Sequence, residues 1–180
     1  MKYHETSLPG AYVIELERRA DERGFFARGW CRDEFAAQEL CSRFVQCNFA
    51  FTDQSGTLRG LHYQVPPHAE AKLIRCTAGE VFDVIVDIRP ESPTYLQYGG
   101  FRLSAENRSM LYVPEGFAHG YQALKDNTEI LYLVSTPYHP GSERGVRWND
   151  REINIQWPEP VTMISEKDSL IPDFCPCIVS

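Results

Sequence analysis

The stretch Lys72-Leu73-Ile74-Arg75-Cys76-Thr77-Ala78-Gly79-Glu80-Val81-Phe82-Asp83-Val84-Ile85-Val86-Asp87-Ile88 decides the fold. It reads as two strands, residues 72–77 and 80–88, bracketing an Ala78-Gly79 turn as a hairpin. In the second strand, aspartates sit at both ends of an apolar run, which suits a core strand buried on both faces in its middle. Working outward, residues 11–16, 99–103, 109–113, 120–124 and 128–135 continue the strand pattern. Turn residues punctuate the intervals: Pro9-Gly10, Asp53-Gln54-Ser55-Gly56, Pro66-Pro67, Pro90 to Pro93, Gly99-Gly100, Pro114-Glu115-Gly116 and Pro140-Gly141. One helix is expected, Arg32 to Leu40, with an apolar face at Phe35, Ala36 and Leu40. Strand follows strand without alternating helices, which argues against a parallel α/β sheet, and an all-β, double-sheet jelly roll fits best.

At 180 residues, with 43% hydrophobic and 24% charged, the chain suits one domain, 1–180, with its own core. The net charge of −7 argues against non-specific nucleic-acid binding, which needs a basic face. It does not forbid an anionic ligand, because arginines can cluster locally. No apolar run reaches membrane-spanning length and no signal-peptide pattern opens the chain, so the protein reads as cytoplasmic. The six cysteines are irregularly spaced. They read as reduced thiols, and Cys175-Pro176-Cys177, with no second Cys/His pair, makes a poor zinc site.

Four stretches carry chemistry. In Thr57-Leu58-Arg59-Gly60-Leu61-His62-Tyr63-Gln64, an extended backbone puts alternate side chains on one face. There His62 suits a general base near neutral pH. Alone it would more often be a satisfied core histidine; Arg59 and Lys72 nearby shift the balance toward function. Jelly rolls often bind metal through two histidines one residue apart, and the second is missing here: Tyr63 and Gln64 follow His62. Tyr112 to Gly120 reads as strand, turn and new strand carrying His119, a residue equally suited to bonding a loop. Ser165-Glu166-Lys167-Asp168 reads locally as a solvated polar loop, although a carboxylate there can orient a distant histidine. Asp21-Glu22-Arg23-Gly24-Phe25-Phe26 combines an arginine, a flexible glycine and two aromatics: either an anion contact beside a stacking ring or a turn before a core strand.

In these segments the chain resembles the dTDP-4-dehydrorhamnose 3,5-epimerase family. The resemblance runs from about Tyr12 to about Asp168, with further matches at Val45-Gln46-Cys47-Asn48, Ala71-Lys72-Leu73, Val86-Asp87-Ile88-Arg89, Ser92-Pro93-Thr94-Tyr95 and Trp148-Asn149-Asp150. It implies a double-stranded β-helix jelly roll of the cupin type with a few short helices, a homodimer, no metal, no cofactor, and a nucleotide-linked 4-keto-6-deoxyhexose as substrate, dTDP-linked first of all. It further implies that His62 is the base, Asp168 its orienting partner, Tyr132 the proton donor and Lys72 the stabiliser of the enolate oxygen. Arg23, Phe26, Arg28, Gln46, Asn48, Arg59, His119, Glu143 and Lys167 stand at substrate-contacting positions. The chain departs from the pattern at Arg28, where better-known members carry a glutamate near the nucleotide; at Leu133, where many carry a lysine; and at His139. The departures leave open whether C3, C5 or both are inverted. A single-site epimerase, a sugar 3,4-ketoisomerase and a non-catalytic sugar-binding cupin are the alternatives, and His62, Lys72, Tyr132 and Asp168 together weigh against the last.

Overall fold

The computed structural model describes residues 1–174; Cys175 and Cys177 lie outside the described residues. Among the described residues the strands are β1 (Lys2–Glu5), β2 (Tyr12–Glu15), β3 (Arg19–Asp21), β4 (Gly24–Phe26), β5 (Gln46–Thr52), β6 (Thr57–Gln64), β7 (Lys72–Ala78), β8 (Glu80–Asp87), β9 (Tyr98–Ser104), β10 (Met110–Val113), β11 (Phe117–Ala123), β12 (Thr128–Val134), β13 (Glu143–Gly145) and β14 (Met163–Ile164). Two short helices join them, α1 (Arg32–Ala37) and α2 (Glu166–Ser169). One sheet runs β1-β2-β10-β7-β12-β5 and the other β13-β6-β11-β8-β9, with β14 parallel to β6; β3 and β4 form a separate two-stranded ribbon.

Period-two alternation along β8 explains the layering. Val81 and Ile85 point between the sheets, into a core shared with Ile74, Cys76, Leu111, Tyr121 and Ile130. Val84 and Val86 point the other way, into a cluster closed by Leu61, Val146, Ile153 and Ile155. The strand is therefore buried on both faces, as its apolar run implies. A third cluster covers the outer face of the first sheet with Phe35 of α1. No helix among the described residues is long and apolar enough to cross a membrane.

Two local expectations are corrected. Residues 72–77 and 80–88 are not a hairpin: β7 pairs with β10 and β12, β8 with β9 and β11, so Ala78-Gly79 carries the chain from one sheet to the other. Both strands are central, and each has its two hydrogen-bonding edges occupied. Gly79 holds φ +72° at the corner, and a Cβ there would lie 2.3 Å from Thr128 Oγ1. The expected helix stops at Ala37 rather than Leu40 because Glu39 adopts φ +58°. Phe35 and Leu40 are buried, but Ala36 faces solvent.

Candidate active site

The sheets are apolar between them at one end and polar at the other. At the polar end is a cavity of about 460 Å³, lined in part by Arg59, His62 and His119 from one sheet and Lys72 and Tyr132 from the facing sheet. Alternation places them: His62 and His119 are direct cross-strand partners on β6 and β11, while Lys72 and Tyr132 share a face with Ile74 and Ile130. Gly60 permits this packing. Its φ is +105°, and a Cβ would approach the His119 carbonyl and Gly120 Cα to 2.7 Å.

His62 Nε2 lies 2.7 Å from Asp168 Oδ1. The other carboxylate oxygen accepts the Gly60 amide at 3.1 Å. Ser165 caps α2 by accepting the Asp168 N–H, which turns the Asp168 side chain inward. Ser165-Glu166-Lys167-Asp168 is thus a helix start rather than a loop: Ser165, Glu166 and Lys167 are exposed as expected, but Asp168 is only 4% exposed. Burial pushes its carboxyl upward, but hydrogen bonds from His62 and the Gly60 amide outweigh burial and hold it below the usual range. An ionised Asp168 accepts the Nε2 proton, leaving the lone pair of the neutral ring on Nδ1.

His119 is held the same way, with Nε2 at 2.9 and 3.1 Å from the two oxygens of fully buried Asp83 on β8. Its partner is a strand, not a loop. The sequence marks Asp83 only as one end of the apolar run of β8, with no chemical role. Lys72 Nζ lies 3.2 Å from Glu70 and donates to the His62 carbonyl at 3.4 Å. The Tyr132 phenol is pushed above its ordinary range, chiefly by burial and then by the Glu70 carboxylate, with Arg59 opposing. Arg59 donates to Thr52 Oγ1 and the Phe51 carbonyl.

Of the other expected contact residues, Lys167 lines the cavity, whereas Gln46, Asn48 and Glu143 are not part of its lining. Gln46 donates to Asn48 on β5, beside Tyr132 in the ladder. Lys167 reaches Glu143 at 2.6 Å, and Glu143 also accepts the Tyr138 hydroxyl, a residue the sequence reading passed over. Arg23, Phe26 and Arg28 do not line the cavity. They belong to or flank the β3–β4 ribbon, with Arg23 paired to Asp21 and Arg28 to Glu34. Phe25 and Phe26 are both exposed, so this ribbon is no core strand. Leu133 packs against the outer cluster around Phe35, away from the cavity, and His139 stacks on His68. Those two departures from the family pattern therefore leave the cavity lining unchanged. Among the described residues no three His, Cys, Asp or Glu side chains converge as a metal site.

Two facing sheets with the His62–Asp168 pair opposite a half-buried Tyr132 make this a jelly-roll cupin of the epimerase class. The chain belongs to the dTDP-4-dehydrorhamnose 3,5-epimerase family, whose model matches residues 5–175. It is 44% identical to the Shigella flexneri enzyme of that name over 171 residues, covering 93% of each chain. The crystal structure of the Elizabethkingia anophelis enzyme superposes with a TM-score of 0.94 at 40% identity, covering 97% of this chain and 96% of that one. A Legionella pneumophila dTDP-6-deoxy-D-glucose-3,5-epimerase, solved in complex with dTDP-4-keto-L-rhamnose, superposes at 0.88 with 39% identity, covering 94% and 90%.

Proposed function

We propose that the protein inverts C3 and C5 of dTDP-4-dehydro-6-deoxyglucose, giving dTDP-4-dehydrorhamnose, and that it does so as a homodimer. The observation that carries this reading is the placement of His62 and Tyr132 on facing walls of one cavity. A 4-keto group acidifies the protons on C3 and C5. Nδ1 of His62 removes one, and the electron pair moves onto the carbonyl oxygen as an enolate. The Lys72 ammonium meets that charge as it develops. Tyr132 gives its phenolic proton to the opposite face of the same carbon, restoring the ketone with inverted configuration. The His62 proton leaves to solvent, and the Tyr132 phenolate is reprotonated from it. Each positioned acid or base contributes about 10²–10⁴ in rate.

Arg59, His119 and Lys167, with Glu143 bonded to Lys167 and Gln46 and Asn48 on the strand beside Tyr132, would hold the sugar and diphosphate, since guanidinium forks match phosphate oxygens. Dimerisation is supported by β5, an open sheet edge among the described residues that displays Phe49 and Phe51 to solvent, with exposed Val45 just before it. Arg23, Phe26 and Arg28 then serve the substrate from the neighbouring protomer.

The test is incubation with dTDP-4-dehydro-6-deoxyglucose in deuterated water, following C3 and C5 by NMR. Deuterium at both carbons is expected. Label at one carbon would reduce the reading to a single-site epimerase, and no label would overturn it.

A further inference from the structure

We infer that Glu70, which lies outside the cavity, is the positioning residue that aims the Lys72 ammonium at the reacting carbonyl. This inference rests on the enolate chemistry proposed above. The lysine nitrogen carries three N–H donors. Glu70 forms an ion pair with it at 3.2 Å and the His62 carbonyl accepts one N–H at 3.4 Å, so the nitrogen is held from two sides while Lys72 lines the cavity. The lysine side chain is 9% exposed and the Glu70 side chain 12%, so neither charge is dispersed by water. A buried ammonium without a carboxylate would turn toward other partners or lose its proton.

Glu70 is itself held. Its second oxygen accepts Gln64 Nε2 at 3.1 Å. Gln64, two residues past His62 on β6, also donates to the His68 carbonyl at 3.0 Å and accepts the His139 amide at 2.6 Å. Above this, the His68 and His139 rings stack 4.0 Å apart and nearly parallel, and Ser142 Oγ lies 2.9 Å from His68 Nδ1. Two connecting loops are thus clasped around one carboxylate. A long, flexible lysine is thereby fixed by a rigid support that touches no substrate.

Glu70→Ala should lower kcat by about tenfold or more, approaching the about 10²-fold of a lost oxyanion donor, with KM little changed. Glu70→Gln keeps the size and an acceptor oxygen for Lys72, and should recover a substantial part of that rate. The crystal structure of Glu70→Ala should show Lys72 Nζ drawn away from the His62 carbonyl. Unchanged kcat in Glu70→Ala, equal losses in the two variants, or a Lys72 that keeps its place would overturn the inference. The crystallographic arm needs no substrate. A wild-type protein without deuterium wash-in would sink the epimerase reading and still leave the position of Lys72 to decide the role of Glu70.

Discussion

Two residues with opposed environments set the pH behaviour. Burial and the Glu70 carboxylate raise the Tyr132 phenol above its ordinary value, so it stays protonated through neutral pH, as the proposed donor must. The rate should fall only as pH climbs past about 10, where an unperturbed tyrosine titrates. In Tyr132→Phe, inversion should collapse while wash-in from proton removal by His62 persists more strongly; equal loss of both would refute the donor assignment. Asp168 shows the opposite linkage. Its folded pKa is depressed, so the stability it contributes is present above the unfolded value of about 3.9 and is lost as pH falls through the lower folded value. Urea midpoints should therefore place Asp168→Asn below wild type at pH 7, with the gap narrowing toward pH 3. A gap of constant size would mean that ionisation of the Asp168 carboxyl contributes nothing to stability. His62 was legible as a residue type and a spacing. Its partner Asp168, 106 positions away, came only through the family resemblance, and the Asp83 partner of His119 not at all, because no local pattern records which acids a fold brings to which histidines.

Strands β2 and β6 to β12 were legible because their alternation is local, and their boundaries moved by only a few residues, whereas β1, β5, β13 and β14 went unread. What misled was Ala78-Gly79. A glycine between two apolar runs has the chemistry of a hairpin turn, but pairing is settled by which edges other strands fill, and β10, β12, β9 and β11 fill them. The helix α2 was missed for the opposite reason: four residues carry too little periodicity, and only the Ser165 cap marks them. The corner at Gly79 makes its own prediction. Gly79→Ala would combine a strained positive φ with a clash against Thr128 on the first residue of β12. It should cost more than about 1 kcal/mol, read from the urea midpoint at unchanged slope. An unchanged midpoint would show that the corner relaxes freely.

An acidic protein proposed to bind an acidic nucleotide sugar must concentrate its cations, and only some of them lie at the cavity. Arg59, Lys72 and Lys167 line it, but Arg23 and Arg28 stand on or beside an exposed ribbon that does not. The same chain leaves the apolar edge strand β5 open. A second copy laid on that edge resolves both observations if its ribbon reaches its neighbour's cavity, and the consequence is a test by complementation. Arg23→Ala keeps its own His62, and His62→Ala keeps its own Arg23, so each homodimer has only damaged sites. When the two are unfolded together and refolded as a mixture, a hybrid dimer should contain one cavity with His62 from one protomer and Arg23 from the other. Wash-in should reappear in the mixture above the sum of the separate variants, and substrate affinity should return with it. A mixture that forms hybrid dimers but shows no recovery would place Arg23 in the service of its own protomer's cavity or of none.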